Sequence, residues 1–105
     1  MNSREKQINS IERLLLIMDK LRLECPWDRK QTFESLRNLT IEETYELADA
    51  ILDKDWDGIK NELGDLLLHI VFYAKMGSEK KLFDIYDIAN HICNKLINRH
   101  PHVFG

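Results

Sequence analysis

The sequence predicts an all-α fold, an antiparallel four-helix bundle-like domain that dimerises, and three observations lead there. Apolar residues recur every three or four positions in four separate stretches. Gly and Pro together number six of 105 residues, and Gly58 is the only one between Trp27 and Gly64. A strand-rich chain would instead need a turn about every 8–12 residues. The second long helix also carries two apolar sides, more than the core of one small domain can cover. With 105 residues, 12.5 kDa and 44% hydrophobic residues, the chain reads as a single domain over 1–105.

Each element has its own signature. Ile8, Ile11, Leu14, Leu15, Met18 and Leu21 mark a first amphipathic helix, ended by the Cys25-Pro26 step because a residue before proline is pushed out of the α region. Cys25 to Gln31 reads as a polar loop, followed by a short helix through Phe33 and Leu36. Thr40-x-x-Glu43 has the capping-box pattern and opens the second long helix, which runs to about Lys54. The stretch from Asp53 to Gly58 reads as a turn. Ile59, Leu63, Leu66, Leu67, Ile70, Val71 and Ala74 mark a third helix that Gly77 is placed to end. Ile85, Ile88, Ala89, Ile92 and Leu96 mark a fourth, capped by Asp84 and stopped before Pro101. Projected at about 100° per residue, Ile41, Tyr45, Ala48 and Leu52 share one side of the second helix and Leu47 and Ile51 another. That second apolar side points to a homodimer with this helix at its centre.

Composition excludes several classes. No apolar run approaches the roughly 18–20 residues of a membrane span, and the first ten residues are too polar for a signal peptide, which points to the cytoplasm. Cys25 and Cys93 do not make a disulfide framework, and His91-x-Cys93 lacks the partner pair that a zinc site needs. The net charge is −3, but residues 40–65 carry nine acids against Lys54 and Lys60, leaving that window at −7 and the rest of the chain at +4. So concentrated a negative patch repels nucleic-acid phosphates and suits a hard cation.

Two carboxylate pairs carry the chemistry: Glu43-x-x-Glu46 on the second helix and Glu62-x-x-Asp65 on the third. Residues three apart on a helix have Cβ atoms about 5–6 Å apart, so each pair can grip one cation from one face. If the helices pack antiparallel, the two pairs face each other. Four carboxylates in a half-buried cleft repel unless protonated or neutralised. All-oxygen ligation favours Mg²⁺ or Mn²⁺ over zinc, and Mg²⁺ takes remaining ligands from water and substrate phosphates.

Four blocks then carry a resemblance. They are Leu23-x-Cys25-Pro26-Trp27-Asp28-x-x-Gln31-Thr32, Glu42-Glu43-Thr44-Tyr45-Glu46, Asn61-Glu62-Leu63-Gly64-Asp65 with the leucines after it, and Lys95-Leu96-Ile97-x-Arg99 running into His100-Pro101-His102-Val103-Phe104-Gly105. In order and spacing, from about residue 21 to 105, they resemble the MazG family of nucleoside triphosphate pyrophosphohydrolases. The resemblance implies a dimerising all-α bundle and a Mg²⁺-dependent cut between the α- and β-phosphates, giving a nucleoside monophosphate and pyrophosphate. The family's metal ligands fall on Glu43, Glu46, Glu62 and Asp65. Glu42, the extra leading acid, would serve a second ion or the nucleophilic water. Phe33 stands where many members carry His and is given no catalytic part.

Physical chemistry agrees with that assignment. A triphosphate carries about four negative charges near pH 7, so an acidic site handles it only with metal as the bridge, and cations must hold the phosphate tail. Lys95 and Arg99, four apart on the fourth helix, match the family's basic pair. Trp27, with Lys30 and Gln31 beside it, is placed to stack on a base and bond its edge. The competing reading is a non-catalytic nucleotide-binding or regulatory dimerisation module on the same fold. A ferritin-like di-iron bundle ranks last, because it needs Glu-x-x-His pairs that this chain lacks.

Overall fold

Polar caps set the boundaries of the helices that apolar periodicity announces. The computed structural model describes residues 2–105. Its elements are α1 (Ser3–Glu24), α2 (Pro26–Arg29), α3 (Phe33–Leu52), α4 (Trp56–Glu79), α5 (Ile85–Arg99) and α6 (Pro101–Phe104), with no strand among the described residues. The Asn2 side chain accepts from the Glu5 N–H to start α1, and Asp55 accepts from the Gly58 N–H to start α4. Asp84 and Asp87 close a reciprocal capping box at α5, at 3.0 Å in each direction. None of the helices is long and apolar enough to cross a membrane.

Three local expectations are corrected. First, Phe33 to Leu52 is one continuous helix, so no short helix precedes a second start at Thr40. The true cap is Thr32, whose hydroxyl accepts from the Ser35 N–H at 3.0 Å while Ser35 Oγ accepts from the Thr32 N–H at 2.8 Å. A serine at the position where a capping box usually shows Glu or Gln hides this start. Second, the turn between α3 and α4 is only Asp53 to Asp55, because Trp56, Asp57 and Gly58 already form the first turn of α4. Lys54, at φ 54°, supplies the left-handed residue that reverses the chain. Third, Gly77 does not end α4, which continues to Glu79. Gly77 is instead the point where Phe83 folds back: a Cβ there would sit 2.5 Å from the ring. Its lack of a side chain allows that close approach.

The helix α4 is the hub. It packs antiparallel along α3, and α1 and the start of α5 lie against it. Met18 of α1, Leu36 of α3, and Val71, Phe72 and Met76 of α4 form the buried core, with Leu14, Leu15, Phe33 and Tyr73 around it. The core therefore occupies the C-terminal half of α4. Its N-terminal half carries the carboxylates, which face those of α3. Helix α5 contributes Ile85 and Ile88 as half-buried residues and is exposed from Ala89 onward.

Candidate metal centre

The antiparallel α3–α4 pair brings the acidic motifs together. Glu43, Glu62 and Asp65 each offer one carboxylate oxygen, and these three oxygens lie within 4.8 Å of one another. All three residues are half-buried. The Oε2 atoms of Glu43 and Glu62 are buried and have no hydrogen-bond partner. Buried polar atoms are nearly always partnered, so two orphaned oxygens, one from each helix, mark a place for a proton or a cation.

The electrostatics say the same. Burial, then the adjoining Glu62 carboxyl, pushes Glu43 up to about 7, with the charges of Asp65, Glu62 and Glu46 adding to the shift. The adjoining Glu43 carboxyl, and after it that of Glu46, holds Glu62 below the ordinary carboxylate range. Two carboxyls this close can bond only by sharing a proton, so Glu43 and Glu62 titrate as a pair. Glu46 is exposed and lies outside the three-oxygen group, yet its carboxyl is raised, first by Glu62. It stands at the rim. Glu42 is exposed beyond it, and its charge acts on Glu46.

One turn away along both helices lies a polar contact that sequence reasoning missed. The Thr40 hydroxyl is 2.9 Å from His69 Nδ1, 2.6 Å from the Tyr73 hydroxyl and 3.1 Å from the Leu36 carbonyl. His69 is buried at 9% exposure, and that burial lowers its pKa and favours the neutral ring. Spacing alone gives a hint, since His69 and Tyr73 follow Asp65 at steps of four on one face of α4. What spacing cannot show is that they meet Thr40.

Comparison with known proteins now decides the family. Residues 31–104 match the model of the MazG nucleotide pyrophosphohydrolase domain. The chain belongs to the MazG family. It is 52% identical over 101 residues to the nucleoside triphosphate pyrophosphohydrolase of Escherichia coli K12, covering 93% of this chain and 38% of that protein. It is 53% identical over 96 residues to the nucleoside triphosphate pyrophosphohydrolase/pyrophosphatase MazG of Thermotoga maritima, covering 90% of this chain and 38% of the relative. The chain thus spans well under half the length of these relatives. Among solved structures, a mazG-related protein from Thermotoga maritima superposes with a TM-score of 0.78 at 28% identity, over 89% of this chain and 82% of that one.

The remaining sequence candidates of this MazG domain lie apart from the carboxylates. Trp27, 72% exposed, and the exposed Lys30 sit on and just after the single turn of α2. Gln31 spends both ends of its amide on the same loop, donating to the Trp27 carbonyl at 3.2 Å and accepting from Ser35 Oγ at 2.8 Å. From Phe33 to Glu43 is ten residues of helix, about 15 Å at 1.5 Å rise per residue. Lys95 and Arg99 are exposed on α5 and make no ion pair among the described residues. Neither is among the charges that move Glu43, Glu46 or Glu62. The charges that act on Glu43 and Glu46 are those of other acids.

Arg22 anchors the Trp27 loop. Its Nη1 donates to the Asp28, Arg29 and Gln31 carbonyls at 2.7, 3.1 and 3.0 Å, satisfying orphan carbonyls at the end of α2. Nε and Nη2 grip Glu79 at 2.8 and 2.9 Å, and the guanidinium lies over the Phe72 ring. The hydrogen bond from Arg22 holds Glu79 below the usual carboxylate range, so its stabilising effect is present above that range and lost as pH falls through it. Arg22→Ala is expected to cost about 2–4 kcal/mol in urea unfolding, because hydrogen bonds to charged groups and three loop carbonyls lose their partner together.

Proposed function

We propose that this MazG domain hydrolyses nucleoside triphosphates to a nucleoside monophosphate and pyrophosphate, with Mg²⁺ as cofactor and Mn²⁺ as substitute. The observation that carries this reading is the convergence of Glu43, Glu62 and Asp65 oxygens within 4.8 Å, two of these residues presenting an orphaned buried oxygen. Three hard oxygen donors of like charge suit a divalent cation of the Mg²⁺ class. The names of the Escherichia coli and Thermotoga maritima relatives supply the reaction class.

Glu43, Glu62 and Asp65 hold the ion, and Glu46 closes the rim as the fourth ligand. When bound, the ion neutralises phosphate charge and orients the leaving group. Glu42, exposed next to that rim, positions the attacking water or a second ion. Trp27 offers its open face to the base and Lys30 an edge donor, while Gln31 keeps the loop in shape. Lys95 and Arg99 bind the phosphate tail. Neither cation acts on the carboxyls of its own chain, which supports a phosphate-binding role in an assembled homodimer.

Exposed area supports the dimer. The chain exposes 8311 Å², against about 6,200 Å² for a compact monomer of its mass. Its radius of gyration is 15.9 Å, where a compact domain of this length has about 13 Å. The excess is of the size that two copies of an obligate dimer bury, about 2,000–5,000 Å² in total. A cytoplasmic location, where nucleoside triphosphates are made and used, goes with the same reading.

The deciding experiment is incubation with Mg²⁺ and a panel of nucleoside triphosphates, with detection of pyrophosphate. Release above a no-enzyme control, lost in Asp65→Ala, is the expected result. No release with any triphosphate in Mg²⁺ or Mn²⁺ would leave a binding or regulatory module.

A further inference from the structure

The three carboxylates come from two helices, so the centre exists only in one register of α3 against α4. Glu43 must lie opposite Glu62 and Asp65, which share one face of α4. Apolar packing fixes the other half of the hairpin, around Leu36, Val71, Phe72 and Met76. Between that core and the acids, a polar link across the helices is centred on Thr40. Mutual repulsion of the acids favours their separation, so some attraction nearby has to oppose it.

We propose that Thr40 is a positioning residue for the metal centre, its hydroxyl locking α3 to α4 through His69 and Tyr73 one turn from Glu43. A hydroxyl has one proton and two lone pairs. The proton goes to the Leu36 carbonyl, so both lone pairs accept, from the Tyr73 O–H and from His69 Nδ1–H. This assigns His69 as the neutral Nδ1–H tautomer. Tyr73 is held in turn by the stacking of its ring on Phe33, centroids 5.5 Å apart. Leu36 and Thr40 of α3 thus meet Tyr73 and His69 of α4 in a short polar bridge at the edge of the apolar core. The bridge transmits the rigidity of the core to the carboxylates.

The inference rests on the proposed metal centre, and its test uses cation binding without nucleotide. Thr40→Val keeps the shape and removes all three bonds. Calorimetric titration of the full chain with Mn²⁺ is expected to show affinity weakened about tenfold, the low end for groups that orient metal ligands. Thr40→Ser, which retains the hydroxyl, restores it to within about twofold of wild type. Tyr73→Phe removes one bond, keeps the ring on Phe33, and serves if Thr40→Val does not fold; it is expected to weaken Mn²⁺ about threefold. Imidazole ¹⁵N shifts of the cation-free wild type are expected to report the Nδ1–H tautomer of His69. A Thr40→Val protein that folds and binds Mn²⁺ as wild type does overturns the inference alone, as does an Nε2–H tautomer. A wild-type chain that takes up no Mn²⁺ overturns the metal centre and the inference together.

Discussion

Glu43→Ala is expected to reduce the proposed pyrophosphate release by about 1,000-fold or more, and to raise the thermal stability of the cation-free protein. The first half follows from topology. Glu62 and Asp65 both come from α4, and Glu43 is the only member of the three-oxygen group from α3. Without it the ion would have no ligand from α3 in that group. Transition-state charge stabilisation worth several kcal/mol then disappears, and about 4 kcal/mol corresponds to a factor of 1,000. The second half follows from the carboxyl's displacement to about 7. An unfolded chain ionises this group near its ordinary value of 4.5, while the folded chain keeps the proton until about 7. Its contribution to stability is therefore fully present below 4.5 and lost as pH rises to about 7. Above that pH the cation-free protein carries the whole electrostatic penalty, and Glu43→Ala removes it.

Cation binding reverses the same penalty. Mn²⁺ is expected to raise the melting temperature of the wild type most above pH 7, and progressively less as protons compete for Glu43 below it. Differential scanning fluorimetry from pH 5 to 8, with and without Mn²⁺, reads both effects at once. A wild type whose Mn²⁺ shift is independent of pH contradicts the assignment of Glu43. So does a Glu43→Ala variant that keeps the shift.

The second large effect concerns assembly. Leu52→Glu is expected to convert a dimer into a monomer of 12.5 kDa and to remove activity with it. Ile41, Tyr45 and Leu52 lie about 160–200° around α3 from Glu43, at about 100° per residue, so they face away from α4. They are 40%, 70% and 80% exposed, a stripe that nothing in the single chain covers. If a second copy covers it, an added carboxylate is buried without a partner, which costs several kcal/mol and splits the pair. On the proposed role of Lys95 and Arg99 in the dimer, activity is expected to fall as well. Sedimentation equilibrium across a dilution series measures the first effect and pyrophosphate release the second. In a monomeric protein, Leu52→Glu changes an exposed surface position, and both readings stay within error of wild type.

Much of this was legible in the residues. The apolar repeats of α1, α4 and α5 placed those helices, and Asp84 and Pro101 bounded the last of them. The start of α3 was not legible, because Thr32 and Ser35 cap a helix whose first apolar residues looked like a separate piece. Gly77 misled for a related reason: glycine marks both helix ends and close contacts, and only the fold-back of Phe83 tells which. Of the four expected ligands, Glu43, Glu62 and Asp65 converge, while Glu46 stays at the rim. Spacing of three guarantees neighbours on one helix, but says nothing about how far each leans toward the next.

By itself, then, the sequence determined the helical class through local period, pointed to the family through the resemblance of its motif blocks, and named the acids through residue type. Tertiary structure alone decided which acids share an ion's reach, and that Thr40 meets His69 and Tyr73. It also decided that Lys95 and Arg99 stay exposed on α5. Those outcomes depend on the register and tilt of α3 against α4, and on the path of α5. Such relations are set by packing between residues distant in the chain, where no periodicity records them.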